Sequence, residues 1–405
     1  MNRINVHSIS EIQNKLKNNE ALIYFDTKYE ESIFSYVILK NDFMFFNNYE
    51  YHKTLEKIED LRNGIVNKDE NFLVWSDLIY KKLFKNQTNY LSENKIEKIF
   101  IIIDKKLSNL PFETLVINGP EFNETTKVEK YLSGIKNLKL EYLINKFSIS
   151  YFPSVSTFFE NSDVSEPISS NTSFFGIGSP SFIKKEVERN VSKYLQLNNR
   201  GYLENTSVIS ERYNEIPGTK KELNNLKLLF PKNKILLDNL ATETNLKNED
   251  LSQYGIISFA THAEVSDKLE GFNEPFLVLT PPKIPSAKDD GLLTTSEIFA
   301  LNLNARLVIL SACDTAAKNN KYADGFSGLV NSFLIAGADS VIASHWRVDD
   351  YSTNLLINEI LKKAVQSNLN TSESMREIKL NFINGSFGEE YKKPLYWAPF
   401  ILIGK

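Results

Sequence analysis

The residues with the clearest potential for chemistry are one cysteine and one histidine, Cys313 and His262. Cys313 is the only cysteine among 405 residues, and it ends the apolar run "ARLVILSAC" at residues 305–313. His262 ends a second run, "GIISFATH" at residues 255–262, and precedes Cys313 by 51 residues. A thiolate attacks carbonyl carbon atoms, and an imidazole can take the thiol proton and later protonate a leaving amine. The pair therefore predicts acyl transfer through a thiol.

Both residues also have a simpler interpretation as parts of a core. A free cysteine is commonly a small buried apolar residue, and a histidine after an apolar run can be a hydrogen-bonded core residue. Their positions favour chemistry, because ligands of open α/β sheets gather beyond the carboxyl ends of the strands. At the turns where the two runs end, the backbone amides of Ala263 and Cys313 are the predicted oxyanion donors.

The strands that would carry these residues belong to a regular alternation of strands and helices in the second half of the chain. Short continuous apolar runs are typical of strands buried on both faces of a parallel sheet. The predicted strands are residues 173–180, 234–238, 255–262, 305–313 and 339–346. Apolar residues at helical spacing predict helices over residues 219–230, 294–301, 325–338 and 352–365.

Two of these helices have the spacing of a capping box at their start. In a capping box, a hydroxyl residue and a glutamate three positions later satisfy two otherwise free backbone amides. Thr219 and Glu222 have this spacing, and so do Thr294 and Glu297. We therefore expect a helix to begin at each pair.

The first half of the chain has a different organisation. Residues 21–48 contain aromatic-rich apolar runs separated by charged turns, which predicts an antiparallel meander. The polar segment "NSDVSEPISSNT" at residues 161–172 is typical of a linker. Since 405 residues exceed the usual size of a single core, we predict an α/β lobe at residues 1–165 and a second lobe at 166–405.

Composition argues against several classes of function. The net charge is −4 with both signs interspersed, so no basic block predicts nucleic-acid binding. The longest apolar runs fall far short of the roughly 20 residues of a membrane span, and the start lacks the apolar core of a secretory signal. A single cysteine fits a reducing compartment, which predicts a cytoplasmic location.

No cofactor or metal is predicted. The four histidines form no close-spaced ligand pair, and one cysteine cannot supply a structural zinc cluster. The segment "GIGSP" at residues 176–180 has two glycines without the spacing or the lysine of a phosphate-binding loop.

Five segments, in order along the chain, resemble the CHAT-domain peptidases, which are bacterial relatives of caspases and separase. They are "LPFETL" (110–115), "FATH" (259–262), "GLLTTSEIFALNLNARLVILSACDTA" (291–316), "GLVNSFLIAGADSVIASHWRVDD" (328–350) and "YWAPFILIG" (396–404). The interval between His262 and Cys313 also matches the value of about 50 residues that is typical of caspases.

The resemblance implies a caspase–hemoglobinase fold, with a mostly parallel central sheet flanked by helices. It implies that Cys313 is the nucleophile and His262 the general acid and base of a dyad in the 166–405 lobe. The 1–165 lobe would then be a non-catalytic, caspase-like companion. Family members usually have glycine immediately after the catalytic histidine, whereas this chain has Ala263.

The segment "HWRVDD" at residues 345–350 resembles the part of separase in which an acidic residue recognises arginine at the cleaved position. By this match, Asp350 would form the base of the S1 pocket and Trp346 an apolar wall. The two acids of this segment could instead cap the helix that follows, which is the favoured interpretation for Asp349. His345 could approach the thiol, or it could be a surface or pocket-wall residue.

Together these features predict a cysteine endopeptidase that cleaves a protein substrate at few sites, after a basic residue. The resemblance also suggests bacterial defence, with a gasdermin-like pore-former as substrate and a protein partner as activator. The alternatives are a catalytically silent CHAT-like module that binds a signalling partner and another thiol acyl-transfer enzyme with the same dyad.

Overall fold

The structure is a computed structural model of the chain. It describes residues 7–27, 32–49, 51–104, 106–120, 127–135, 138–160, 167–182, 202–203, 205–264, 274–311, 328–346 and 350–405. The chain divides into two compact units, of which the first comprises Met1–Val164 with Ser372–Lys405 and the second Ser165–Thr371. This division differs from the predicted lobes in residues 372–405, which the sequence analysis assigned to the second lobe.

The described part of the chain up to residue 160 contains seven α-helices and five strands, together with a π-helix and a 3₁₀ turn. Up to residue 160 they are α1 (Ile9–Lys15), β1 (Glu20–Asp26), β2 (Ser32–Leu39), β3 (Phe43–Tyr49), α2 (Tyr51–Val66), α3 (Phe72–Ile79), a π-helix (Tyr80–Phe84), α4 (Lys85–Glu93), β4 (Lys98–Ile102), a 3₁₀ turn (Phe112–Thr114), α5 (Val128–Ile135), α6 (Leu143–Lys146), β5 (Ser148–Phe152) and α7 (Val155–Glu160).

The elements of the second unit come next, and the last two α-helices, a 3₁₀ turn and the final strand follow them. They are β6 (Phe174–Pro180), α8 (Ser207–Arg212), α9 (Pro217–Leu229), β7 (Asn233–Asp238), α10 (Glu243–Lys247), a 3₁₀ turn (Leu251–Gln253), β8 (Ile256–Ala260), β9 (His262–Glu264), β10 (Phe276–Val278), β11 (Leu292–Thr294), α11 (Thr295–Phe299), β12 (Leu307–Ser311), α12 (Gly328–Ile335), β13 (Ser340–Ser344), α13 (Asp350–Ser367), α14 (Thr371–Ile383), a 3₁₀ turn (Glu389–Lys392), α15 (Pro394–Trp397) and β14 (Phe400–Gly404).

The first unit contains a mixed sheet in the order β3-β2-β1-β4-β5-β14. Strands β1, β2 and β3 pair in antiparallel fashion, with Tyr36 opposite both Tyr24 and Phe45, so the predicted meander is confirmed. Strands β4, β5 and β14 extend the sheet in parallel. Since β4 and β5 are buried along their whole length, helices must cover both faces of this part of the sheet.

The second unit contains a parallel sheet in the order β13-β12-β8-β6-β7. Strands β8, β12 and β13 are buried at every position, which confirms the interpretation of their apolar runs. Gly178 of β6 lies opposite Ala260 of β8, where an added Cβ would lie 2.2 Å from the Ala260 carbonyl oxygen. Glycine is therefore required where these two strands approach each other.

The predicted strand at residues 255–262 is wrong in one respect, because it is divided between two sheets. Strand β8 ends at Ala260, and His262 begins β9 in a small antiparallel sheet with the order β11-β10-β9. Between the two strands, the hydroxyl of Thr261 donates a hydrogen bond to the Val278 carbonyl of β10. This bond links the chain to β10 at the point where it leaves the parallel sheet and enters the small antiparallel sheet.

One of the two predicted capping boxes is confirmed. Thr294 and Glu297 form the reciprocal hydrogen bonds of such a box at the start of α11. The box predicted for Thr219 and Glu222 is wrong, because α9 begins two residues earlier at Pro217. Proline suits the first helical position, since its fixed φ is helical and its missing N–H needs no partner.

Within the described part of the chain, no helix combines the length and the apolar content that a bilayer span requires.

Candidate active site

The parallel pairing of β8 and β12 brings the two candidate chemical segments to the same edge of the sheet. In this register Ala260 lies opposite Ser311, the last residue of β12. His262 follows Ala260 by two residues and Cys313 follows Ser311 by two residues. Neighbouring strands lie about 4.8 Å apart, so the chain leaves the sheet at adjacent points before each residue. Cys313 itself lies in residues 312–327, outside the described ranges.

The imidazole of His262 is half-buried and held in a defined orientation. Its Nε2 atom lies 2.7 Å from the backbone carbonyl oxygen of Asn214. The ring centroid lies 5.1 Å from that of Tyr213 and 6.0 Å from that of Phe182. Both aromatic residues belong to a buried apolar cluster with Phe276 and Val278 of β10, so the core of this region fixes the position of the imidazole.

The hydrogen bond to Asn214 determines which nitrogen can act as a base. A carbonyl oxygen can only accept a hydrogen bond, so Nε2 must carry the proton that it shares with Asn214. In the neutral ring the lone pair then lies on Nδ1. The Asn214 carbonyl would also accept a hydrogen bond from Nε2 of an imidazolium.

Ala263 lies beside His262 in strand β9, opposite Leu277 of β10. Its extended backbone is a conformation that alanine adopts without strain. The alanine that replaces the usual glycine of the family is thus accommodated at this position, and its amide keeps a donor. The oxyanion role predicted for the amides of Ala263 and Cys313 stays a prediction, because Cys313 is outside the described residues.

Glu222 is a buried acid beside the end of β12, and its sequence pattern did not predict a functional role. It is only 1% exposed, and its Oε2 accepts a hydrogen bond of 2.7 Å from the Ser311 hydroxyl at the end of β12. Its Oε1 atom is buried and has no hydrogen-bond partner among the described residues. Burial, together with the nearby Asp350 carboxylate, raises the pKa of Glu222 to about 8, although the Ser311 bond acts in the opposite direction.

A signal for Glu222 was present in the sequence. In α9 it shares the buried face with Thr219, Leu223 and Leu226, a spacing that places an acid within an apolar stripe. Its distance from Thr219 instead suggested a capping role. In the structure the Thr219 hydroxyl donates to the Ile216 carbonyl, and the Glu222 side chain accepts from Ser311 of β12.

The raised pKa of Glu222 predicts a measurable dependence of stability on pH. The ordinary pKa is 4.5 and the folded value is about 8, so between these pH values the folded chain binds more protons than the unfolded chain. The stabilisation is complete below the ordinary pKa and is lost as pH rises toward about 8. We expect the Glu222→Gln variant to lose less free energy of unfolding than the wild type over this range, by on the order of 3 kcal/mol.

Denaturant titrations at the two ends of this pH range measure the effect. Glu215→Gln is the matched control, since Glu215 is exposed just before the same helix, and its removal should leave the pH dependence unchanged. Identical pH dependence in the wild type and the Glu222→Gln variant would show that Glu222 is ionised in the folded chain.

The remaining candidate residues lie near the start of α13 and the end of β13. Trp346 is 2% exposed, and its ring lies 5.9 Å from that of His345. His345 is fully buried, so the interpretation of it as a surface residue is wrong. Asp350 is exposed and is the first residue of α13, and its Oδ2 accepts a hydrogen bond of 3.3 Å from the Gly218 amide of α9.

The start of α9 approaches Asp350 closely. An added Cβ at Gly218 would lie 2.3 Å from the Cβ of Asp350. The carboxylate of Asp350 is thus placed at the N-terminal ends of two helices, a position that favours a negative charge. Asp349, the residue favoured for capping from the sequence, is outside the described ranges.

The amino-acid sequence matches the profile of a known family over most of the chain. The profile of the CHAT domain family covers residues 75–405. The chain belongs to the CHAT domain family. A CHAT domain of this kind has a solved structural relative in separase, from the Saccharomyces cerevisiae separase–securin complex, with a TM-score of 0.50 and 11% identity. That match covers 97% of this chain and 30% of the separase chain, and it confirms the predicted caspase-like fold.

Curated relatives of this CHAT domain are much longer proteins. Tetratricopeptide repeat protein 28 of Mus musculus is 28% identical over 116 residues, which is 28% of this chain and 4% of that protein. The Homo sapiens protein of the same name is 24% identical over 200 residues, or 42% of this chain and 8% of its own length. The chain therefore corresponds to a small part of these relatives.

Proposed function

We propose that this CHAT domain is a cysteine endopeptidase in which His262 and Cys313 form the catalytic dyad. The observation that carries the proposal is the orientation of His262 by the Asn214 carbonyl. This orientation leaves Nδ1 as the basic atom at the sheet edge where the segment leading to Cys313 also ends. The family membership and the caspase-like fold support a protease scaffold.

In the proposed reaction, Nδ1 of His262 takes the thiol proton of Cys313, and the thiolate attacks the carbonyl carbon of the scissile peptide bond. The amides of Ala263 and Cys313 would stabilise the oxyanion of the tetrahedral intermediate. The imidazolium then protonates the leaving amine, and a thioester remains on Cys313. Water, deprotonated by the same imidazole, hydrolyses the thioester and restores the thiol.

We propose cleavage after a basic residue, with Asp350 and Trp346 contributing to its recognition. The Asp350 carboxylate is exposed, and it would form charge-assisted hydrogen bonds with a cationic side chain, which favours lysine or arginine. Asp350 has a second oxygen besides the one that accepts the Gly218 amide. Trp346 is 2% exposed, so in this proposal it would support the apolar wall of the pocket from within the core.

The proposed biological role is limited proteolysis of a protein substrate in the cytoplasm. The resemblance to bacterial CHAT peptidases favours a defence pathway with a gasdermin-like pore-former as substrate. A protein partner is part of this proposal, supported by the separase relative, which was solved in complex with securin. We propose further that such a partner activates the peptidase. The location is inferred from the single cysteine.

A peptide library cleaved by the purified protein tests the proposed activity. We expect cleavage after lysine or arginine by the wild type and none by the Cys313→Ala variant. Equal turnover by both proteins would reject the cysteine mechanism. Mapping of new protein N-termini in cells that express either form would identify the natural substrate and its cleavage site.

The alternative of a catalytically silent binding module rests on Ala263, at the position where family members usually have glycine. Replacement of Ala263 by glycine discriminates the two functions. An active peptidase should cleave the library with Ala263 in place, whereas a silent module should show cleavage only after the substitution or not at all.

A further inference from the structure

The first unit contains a cavity of about 450 Å³, and neither residue of the proposed dyad is among its lining residues. Its walls come from the end of α2, the start of α3, residues 138–145 and the segment from Ile383 to Leu395. A volume of this size lies within the range of about 300–1,000 Å³ that is usual for ligand-binding sites. We call it the α2–α15 groove.

The floor of the α2–α15 groove is apolar and well packed. Phe72, Leu73 and Tyr142 line it and are each less than 10% exposed. The Tyr142 ring also contacts Trp397 edge to face, with 5.2 Å between centroids. At the rim, Leu138 remains 41% exposed. The groove therefore offers fixed apolar surface and one partly solvated leucine for further burial.

The rim carries an excess of positive charge. Lys68, Lys139, Lys392 and Lys393 line the groove, against two acids, Glu70 and Glu389. Lys392 is neutralised by Glu389 at 2.6 Å. Lys139 and Lys393 are exposed, and within the described ranges neither has an ion-pair partner. Two cations are thus available beside an apolar floor.

The shape of one wall is set by backbone that requires glycine. Gly385 and Gly388 have φ values of 82° and 121°, which favour glycine because a Cβ would be strained there. An added Cβ at Gly385 would also lie 2.4 Å from Cε of Lys392. The indole of Trp397 donates a hydrogen bond of 3.0 Å to the Lys392 carbonyl. The wall is therefore preformed, which lowers the entropic cost of binding.

We propose that the α2–α15 groove is a docking site for an acidic, apolar peptide segment of a protein partner. Large apolar side chains of the peptide would lie on Phe72, Leu73 and Tyr142. Its carboxylates would lie beside Lys139 and Lys393. This is an interaction function of the first unit, and it is independent of the proposed peptidase activity.

Selection from a phage-displayed library of random heptapeptides on the immobilised full chain tests the proposal. We expect the recovered peptides to combine acidic residues with large apolar ones. The recovered peptide with the highest affinity, labelled with fluorescein, is then titrated with protein variants. The double variant Lys139→Glu with Lys393→Glu should weaken its binding by about tenfold or more, since it replaces attraction with repulsion.

The matched control is the double variant Lys130→Glu with Lys232→Glu. It makes the same change in net charge at exposed lysines outside the groove, and it should alter the affinity by less than about twofold. Leu138→Ser should weaken binding without any change in charge. All variants are first compared in their unfolding midpoints, so that loss of fold is recognised.

Three outcomes would overturn the proposal. The first is a selection that recovers basic or neutral peptides, or no peptide above background. The second is binding that does not respond to charge reversal in the groove. The third is a change in the oligomeric state of the free chain on charge reversal, which would show that a second copy of the chain covers the groove.

Discussion

A variant with alanine in place of His262 is expected to react more slowly than the wild type with iodoacetamide at Cys313 at neutral pH. Nδ1 of His262 is the basic atom that would hold the thiol proton, because Nε2 is bonded to the Asn214 carbonyl. Without the imidazole, the thiol should return to the ordinary pKa of about 8.5, and alkylation at neutral pH should slow by about tenfold. Cleavage of peptides should fall further, by about a hundredfold to ten-thousandfold.

The measurement is unusually direct because Cys313 is the only cysteine of the chain. The mass of the alkylated protein therefore reports a single site, and the rate can be followed across pH. The matched control is His345→Ala, whose folding is first checked because His345 is fully buried. If His262→Ala leaves the pH profile unchanged, or if His345→Ala shifts it equally, His262 is not the base. This assay does not depend on knowing the substrate.

Much of the second unit was predictable because its strands are marked by local composition. Continuous apolar runs identified β8, β12 and β13, and their parallel order followed from the helices between them. The break after Ala260 was not visible in the same run. It depends on the Thr261 hydroxyl reaching the Val278 carbonyl, a partner 17 residues away that no local pattern reveals.

The contacts of His262 also include a partner that the local sequence could not reveal. The type of the residue and its place at a strand end suggested its role. The partner that orients it is a backbone carbonyl, that of Asn214, and a backbone group leaves no trace in residue types. Glu222 did have a sequence signal, but the signal had two interpretations. Only the observed start of α9 at Pro217 shows that the glutamate is not a cap.

Glu113 in the first unit is a residue whose segment matched the family pattern, although the sequence did not indicate what the residue does. Glu113 lies in the "LPFETL" segment, and its partner Lys379 is 266 residues away. Both side chains are buried, with exposures of 2% and 1%. Such a pair cannot be predicted from the local sequence around either residue, because burial of each charge requires the opposite charge of the distant partner.

Replacement of Lys379 by methionine should therefore cause a large loss of stability in the first unit. The ammonium lies 3.5 Å from Oε1 of Glu113 and donates a hydrogen bond of 2.7 Å to the Phe400 carbonyl of β14. Its removal leaves the glutamate buried with Tyr151, whose hydroxyl is 2.5 Å from Oε2, as its remaining partner. Breaking one side of a buried ion pair costs about 3–5 kcal/mol.

Urea unfolding in a Trp346→Phe background measures this loss, because the remaining tryptophans, Trp75 and Trp397, both lie in the first unit. The control is the double variant Lys379→Met with Glu113→Gln, in which no charge remains buried. It should recover a large part of the lost free energy, since the cost lies in the uncompensated carboxylate rather than in the missing attraction. Equal destabilisation of the single and double variants would instead assign the effect to the lost hydrogen bond with the Phe400 carbonyl.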